Sequence, residues 1–415
     1  MIYLISIFIE VAVLLYLEYK IWKSLYTPLN FLMLPYLVVL LITIMLSGSE
    51  LGFVDFYYPS IFIWNIGLLI FFLPSVIIGT AITYNGKSTV AATPSDKMPR
   101  SLVFLLIIIS LLFIVHLKSV LSNSAEALGS DEFGEEFSGG GLWGHLRILS
   151  LPLQMISIYY VSKNRWWLWP VILVLLLVSV LNQVKGWVII PVLAAMAMRI
   201  CAGKTRLTVK FMLYVLLGAF MVFFLSYALS ILVVQSRGVS DEFMHFIYMH
   251  FLHYLTSGTF GWSMDLQLGL PDDTENFQNI IAQFVNLFKV VAGDKDLVYP
   301  VNPLYFNPVW SLTNVRTIFG TLYINASWLG FTLYILVLSS LMYLMRTAMV
   351  RFNNIYLYTI YFFFCGMLFM GWFDFYFSGV IVFELPIMLL LLLLLEKILY
   401  KRQKSVDNEN SNNTD

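Results

Sequence analysis

Charge is what this chain has least of. Only 12% of its 415 residues are Asp, Glu, Lys or Arg, about half the roughly 25% usual in soluble domains. A water-soluble globular fold, which needs an ionic surface, is thereby excluded. The formal net charge is zero. That says little about partners, because the charges are sorted by position, and no nucleic-acid partner is expected. There are two cysteines, Cys201 and Cys365, both in or beside apolar runs, which leaves neither a disulfide framework nor a zinc motif. Walker, GxGxxG, HExxH and GxSxG patterns are missing, so nucleotide hydrolysis, metalloproteolysis and serine hydrolysis have no local support. The first residues lack the basic segment and small-residue cleavage site of a signal peptide, and residues 2–17 read as a retained span.

What is abundant is hydrocarbon. The chain is 60% hydrophobic and 17% aromatic, with a mean hydropathy of +0.83. Repeated apolar runs of about 18 residues or more mark an all-α polytopic membrane protein. Spans are expected at about 2–18, 29–47, 60–83, 101–118, 146–162, 166–182, 187–203, 210–233, 317–345, 354–372 and 378–396, some 11 transmembrane helices with one large extracytoplasmic loop. Most of the 24 basic residues fall in alternate connections: Lys20 and Lys23; Lys87, Lys97 and Arg100; Lys163 and Arg165; Arg199, Lys204, Arg206 and Lys210; Arg346 and Arg351; Lys397, Lys401, Arg402 and Lys404. The positive-inside rule makes that side cytoplasmic, with the N-terminus outside. The outer side keeps Lys118, Arg147, Lys185, Arg237, Lys289, Lys295 and Arg316. Residues 1–404 thus form a single polytopic domain, and the polar tail 405–415 is expected to be disordered on the cytoplasmic side.

Two outer loops are long. Residues 119–145 carry Glu126, Asp131, Glu132, Glu135 and Glu136, then Gly139, Gly140 and Gly141. They read as a solvated acidic loop or as a lid. Residues 236–315 are too long and too apolar for a plain connection. Amphipathic stretches at 243–255 and 277–291 predict short helices at the membrane surface.

The candidate chemistry collects around this second loop. Lys185 lies in the turn between two spans, Arg237 opens the loop and Arg316 closes it. Three cations at one membrane boundary suit a pyrophosphate whose lipid tail stays in the bilayer, arginine offering bidentate contacts and lysine a point charge. Snorkelling is the alternative for each alone. On a helical wheel Glu242, His245, Met249 and His253 fall within about 80° of one another, with His250 beside them. A carboxylate and imidazoles on one stripe could deprotonate a sugar hydroxyl, so Asp241, Glu242, His250 and His253 are all candidate bases. His250 and His253 are three apart but no further paired ligand accompanies them, and no metal is expected. Residues 371–376, Gly-Trp-Phe-Asp-Phe-Tyr, set Asp374 among aromatics, as sugar stacking or an aromatic belt would require. Glu10 and Glu384 lie within spans and are read as structural hydrogen-bonding groups.

Three passages carry a family likeness. Residues 181–187, leading into an apolar span, resemble the basic turn of the bacterial O-antigen polymerase (Wzy) group, with Lys185 where arginine is commoner. Residues 235–238, Gln-Ser-Arg-Gly, resemble the arginine that opens that group's large external loop. Residues 314–330 resemble its Asn-Val-Tyr-Thr … Asp-Phe-Gly passage, with Arg316, Asn325 and Ser327 standing for the tyrosine, aspartate and glycine. The related ligases usually show a His-Asn pair near the end of the loop, and this chain has Thr313-Asn314. The resemblance implies a GT-C-like membrane glycosyltransferase of the bacterial cytoplasmic membrane, facing the periplasm or cell exterior and needing no cofactor or metal. It would join undecaprenyl-pyrophosphate-linked oligosaccharide repeat units into O-antigen or capsule, with a chain-length regulator and a flippase as protein partners. In that setting Arg237 and Arg316 stabilise the leaving pyrophosphate. Lys185, Asp241, His245, Asn314, Tyr323 and Asp374 contact substrate. A transporter of the same lipid-linked oligosaccharide is the alternative.

Overall fold

The computed structural model describes residues 2–84, 93–124, 133, 137, 141–181, 185–228, 241–269, 277–298, 305–309 and 311–412. Among them there is helix and no strand, apart from one isolated bridge between Phe306 and Thr313. The helices are α1 (Ile2–Trp22), α2 (Pro28–Leu46), α3 (Ile61–Tyr84), α4 (Arg100–Ser124), α5 (Leu142–Tyr160), α6 (Leu168–Leu181), α7 (Lys185–Cys201) and α8 (Val209–Ala228). They continue with α9 (Asp241–Leu268), α10 (Phe277–Ile280), α11 (Ala282–Ala292), α12 (Ile318–Asn325), α13 (Trp328–Phe352), α14 (Ile355–Phe369) and α15 (Ile381–Asn412). Six stretches are long and apolar enough to cross a membrane: Ile2–Trp22, Pro28–Leu46, Tyr58–Thr83, Arg100–Ser122, Trp328–Phe352 and Ile355–Trp372. The chain is therefore an all-helical protein with the makings of a polytopic membrane protein.

Three expected features come out differently. The run at 317–345 is not one span. Helix α12 ends where Ala326 turns extended (φ −141°, ψ 143°), and α13 restarts at once because the Ser327 hydroxyl accepts from the Gly330 amide at 3.4 Å. A serine N-cap satisfies a donor that a new helix leaves open, so a polar Asn-Ala-Ser break outweighs the apolar run around it. The first part of the 236–315 segment is not a short surface helix either. It is the 28-residue α9, whose second half from Thr256 to Asp265 is almost wholly buried. Composition concealed this, because the buried face is built from Thr, Ser, Gly and Trp rather than from leucines. Helices do form at α10 and α11, and α11 exposes Phe284, Leu287, Phe288, Val290 and Val291. Helix α15 runs on to Asn412, through residues of the polar tail that composition alone leaves unstructured. The acidic residues of the 119–145 loop, Glu126, Asp131, Glu132, Glu135 and Glu136, lie outside the described residues.

Helix α9 crosses one end of the bundle. Along its length it meets Phe220 and Phe224 of α8, then Phe373 after α14, then Phe53 and Phe56 between α2 and α3, and finally α12. Two glycines let it lie flush. A Cβ at position 258 would fall 2.2 Å from the Phe373 carbonyl oxygen, and one at 261 would fall 2.7 Å from that of Val315. At the opposite end, α1, α3, α13 and α14 are tied by a buried polar cluster. The Ser75 hydroxyl and the Tyr343 hydroxyl (2.7 Å) donate to Glu18, and the Trp22 indole donates to Ser75 (2.8 Å). Arg346 stands over the Trp22 ring at 5.1 Å and donates to the Tyr26 carbonyl at 2.7 Å, as the Tyr361 hydroxyl does at 2.8 Å. A carboxylate and a guanidinium inside a bundle persist only when partnered in this way.

The close approach at Gly258 makes a prediction. Gly258→Val forces a backbone contact apart and should destabilise the detergent-solubilised protein by about 1–3 kcal/mol, as overpacking does. Gly218→Ala on α8, whose added methyl meets nothing within 4 Å, should leave the melting temperature unchanged or slightly raised. Equal melting curves for wild type and G258V would contradict the flush contact.

Candidate functional site

The site is assembled where α9, the start of α12 and the segment after α14 meet. Phe306 and Thr313 pair through two backbone bonds (2.9 and 2.7 Å), and Pro308 O accepts from Val54 N at 2.8 Å. The chain then enters α12 through Thr317, whose hydroxyl caps Gly320 N (3.1 Å) and accepts from the Trp64 indole (3.0 Å). One residue before this cap is Arg316. Its guanidinium is 1% exposed and binds the Asp265 carboxylate in bidentate fashion, through Nε to Oδ2 and through Nη2 to Oδ1 at 3.1 Å. It also donates to Val315 O (3.0 Å) and carries the Phe306 ring at 4.7 Å. Burial raises the Asp265 carboxyl above the usual aspartate range, and the guanidinium works against that rise.

Asp374 lies next to this pair. Its Oδ1 accepts from Phe375 N at 2.8 Å and stands 3.5 Å from the Thr321 hydroxyl, which also reaches Arg316 O at 3.3 Å. Burial pushes the Asp374 carboxyl up to about 6, even though the Arg316 charge and the Phe375 amide pull the other way. A half-buried carboxyl that changes state near neutrality, beside a fixed cation and a hydroxyl, can take a proton from a substrate alcohol.

The helix that carries Lys185 meets this segment. Gly186, at the start of α7, fits against Tyr376; a Cβ there would fall 2.4 Å from the tyrosine oxygen. The backbone of Lys185 therefore begins its helix beside the segment that holds Asp374, and its side chain lies outside the described residues, as does the whole of Arg237.

The histidine stripe fares differently. Asp241 and Glu242 form the exposed first turn of α9, and His245 is exposed too. At 1.5 Å per residue, Glu242 is about 35 Å along the axis from Asp265, so these three groups do not join Arg316. His250 is half-buried and stacks on Phe246 at 4.6 Å. His253 is buried, with Nε2 3.2 Å from Leu312 O. A carbonyl only accepts, so Nε2 holds the proton and Nδ1 keeps the lone pair. Burial lowers the imidazole below its ordinary value, which favours this neutral form. The wheel put Met249 and His253 on one wet stripe with Glu242, yet both are buried, because α9 passes from solvent into the bundle along its length.

Asn314 donates to the Tyr305 hydroxyl at 3.3 Å, and Tyr323 is held edge-on by Trp262 (5.6 Å) and Trp328 (5.0 Å) as part of the aromatic packing. Sequence reasoning missed Asp265, a lone carboxylate in an aromatic and small-residue stretch, and Thr321. It also treated Arg316 as an open cation, which the Asp265 carboxylate corrects. Among the described residues no group of three or more His, Cys, Asp or Glu could hold a metal ion.

Two predictions follow from this geometry. Arg316→Met or Asp265→Leu alone strands a buried charge and should cost about 3–5 kcal/mol of stability, whereas the double variant should recover most of it; additive losses in thermal melts would refute a buried pair. The second concerns pH. Asp374 has its pKa raised from 3.8 to about 6, so its contribution to stability is complete below about pH 4 and is lost as the pH rises through 6. The difference amounts to up to about 3 kcal/mol. In Asp374→Asn the melting temperature should lose this fall between pH 4 and 6, and a slope equal to that of wild type would place the shift elsewhere.

No curated protein sequence matches this chain, and no solved structure matches it. A family model does, described as a family of unknown function, DUF6337, over residues 52–402. That match takes in every site residue named above, and the chain belongs to this family.

Proposed function

We propose that the chain is an integral-membrane glycosyltransferase that polymerises undecaprenyl-pyrophosphate-linked oligosaccharide repeat units at the outer face of the bacterial cytoplasmic membrane. The observation that carries the reading is the meeting of two cation-bearing elements on one segment. Helix α7, which Lys185 begins, and the Arg316–Asp265 pair both abut residues 372–376, where Asp374 is the titratable group.

In this reading the growing glycan on its pyrophosphate is the donor. A hydroxyl of the incoming repeat unit attacks the anomeric carbon, its proton passes to Asp374, and the glycosyl–pyrophosphate bond breaks with the electron pair going to the pyrophosphate. Lys185 and Arg237 meet the charge that develops there. Arg316, held by Asp265, acts as part of a fixed, oriented dipole and not as a mobile clamp. His253, one residue from the Tyr254 that stacks on Phe373 at 5.9 Å, is the second candidate base. The distance along α9 argues against Asp241 and Glu242.

A count of 11 crossings takes in α5 to α8, α15 and the broken α12–α13 unit, arranged in a GT-C-like manner with α12 as a partial insertion.

The second reading, a transporter of the same lipid-linked oligosaccharide, draws on the buried Glu18–Arg346 cluster, since ionisable groups inside a bundle often mark a transport path. Liposomes reconstituted with lipid-linked repeats separate the two. Polymerase activity yields products longer than one repeat, while transport moves label across the bilayer without lengthening it. Arg237→Ala and Asp374→Asn should each lower elongation by about 100-fold or more, on the scale of losing one preorganised donor. Wild-type chain length in both variants, at equal protein level, would end the proposal.

A further inference from the structure

Helix α11 carries its amphipathic character in the reverse of the usual sense. On its wheel Phe284, Leu287, Phe288 and Val291 fall within about 100° of one another. All four are exposed, Phe288 at 73% and Val291 at 80%. Asn286 and Lys289 lie on the opposite side, and the chain folds back to cover them. Gly293, in the left-handed region (φ 78°), ends the helix and begins the reversal. Asn286 Nδ2 then donates to Val298 O at 2.8 Å, and its Oδ1 accepts from Val298 N at 2.7 Å. The Lys289 ammonium donates to the Asp294 carboxylate at 2.9 Å and to Asp296 O at 2.6 Å. A surface helix of a water-soluble fold buries its apolar stripe and leaves the polar one wet. In α11 the protein's own chain takes the polar stripe and leaves the apolar one bare.

Two observations say what covers that stripe. The first is continuity with surfaces that need lipid. Phe284 meets Phe383 of α15 at 6.3 Å, and Phe277 of α10 lies against Gly330 of α13, where a Cβ would fall 3.6 Å from its ring. Helix α13 is one of the stretches long and apolar enough to cross a membrane, and Leu329, Leu333 and Val337 stay exposed along it. The second is length. With 11 residues, α11 is about 16 Å long at 1.5 Å per residue. A hydrocarbon core is about 30 Å thick, so α11 does not cross it. The exposed charges of the return segment, Asp294, Lys295 and Asp296, must also stay in water. A short helix with one bare apolar face and a charged return on the other satisfies both demands by lying along the bilayer surface.

We propose that the Phe284–Leu287–Phe288–Val291 face of α11 rests in the acyl chains of one leaflet, with the return segment 294–298 on the water side. The inference needs only a bilayer around the protein, so it stands apart from the polymerase reading and fails separately from it.

The test is photocrosslinking of the full-length protein in its native membrane. The photoreactive residue p-benzoylphenylalanine replaces Phe288, Val291 or, as the control on the other side, Lys295, one at a time. Mass spectrometry of the purified protein then reads what was attached. Phospholipid adducts, fragmenting to show attachment on the acyl chains, should form at both 288 and 291 and be absent at 295. All three side chains are exposed, so each variant should insert and melt as the wild type does. Crosslinks from 288 or 291 to any polypeptide would make the stripe a protein-docking surface and overturn the proposal. Absence of lipid adducts at either of those two positions overturns it as well, since the face would then be in water. Equal lipid labelling at 295 overturns the orientation of the helix and the proposal with it.

Discussion

The ion pair between Arg316 and Asp265 is the constraint on which this end of the molecule depends. Removing two charges from water costs several kcal/mol per ion even after relaxation. The arrangement persists because the guanidinium is bonded on several sides: the carboxylate takes two of its nitrogens, the Val315 carbonyl takes another donor, and the Phe306 ring covers its face. Such a pair adds little net stability over apolar residues of the same size. It does select one register. Asp265 lies near the end of a 28-residue helix and Arg316 immediately before another, so the pair fixes where α9 stops relative to α12. A slip of one residue along α9 would rotate the carboxylate by about 100° and leave both charges buried and unmatched.

With that register set, the neighbouring contacts follow. Gly261 falls opposite Val315 and Gly258 opposite Phe373, the two points where any side chain would collide. Trp262 can then donate to Ser60 O at 3.2 Å and meet Tyr323 edge-on. The Glu18–Ser75–Tyr343 cluster does corresponding work at the far end of the bundle. Between the two ends the contacts are mainly apolar and aromatic, with single polar links such as the Ser339 hydroxyl to the Phe71 carbonyl, and apolar contacts tolerate sliding. Polar groups at both ends therefore specify an alignment that the hydrocarbon interior would leave loose.

The sequence is legible to the extent that hydrophobicity decides structure. The six long stretches match runs of apolar residues, since a bilayer core leaves a helix little choice. Legibility fails where a few polar atoms override that signal. Ser327 caps a new helix inside an apolar run, and the buried half of α9 is polar in composition, its Thr256, Ser257 and Ser263 hydroxyls donating to carbonyls of their own helix. The place of Arg316 and Asp374 at the ends of apolar runs is readable. The partner of Arg316 was not, because 51 residues separate it from Asp265 and nothing local links them. The helical wheel failed for His253 for a related reason. It assumes one environment along the whole helix, and α9 has two.

A guanidinium locked in place differs chemically from one on a free side chain. A mobile arginine reorganises when charge appears on a leaving group, and that reorganisation takes up part of the stabilisation. A fixed one is already oriented, and in surroundings of low polarity its field reaches farther. Asp265 lowers the net charge of the pair, so the pair acts at short range as an oriented dipole and not as a full cation. Asp374 feels the result: burial raises its carboxyl while Arg316 restrains the rise, and the balance falls at about 6. The Phe375 amide and the Thr321 hydroxyl act in the same direction as the guanidinium. The ion pair thus does two things with one set of contacts. It fixes the seat of α9, and it joins the Phe375 amide in opposing the rise that burial imposes on the adjacent carboxyl.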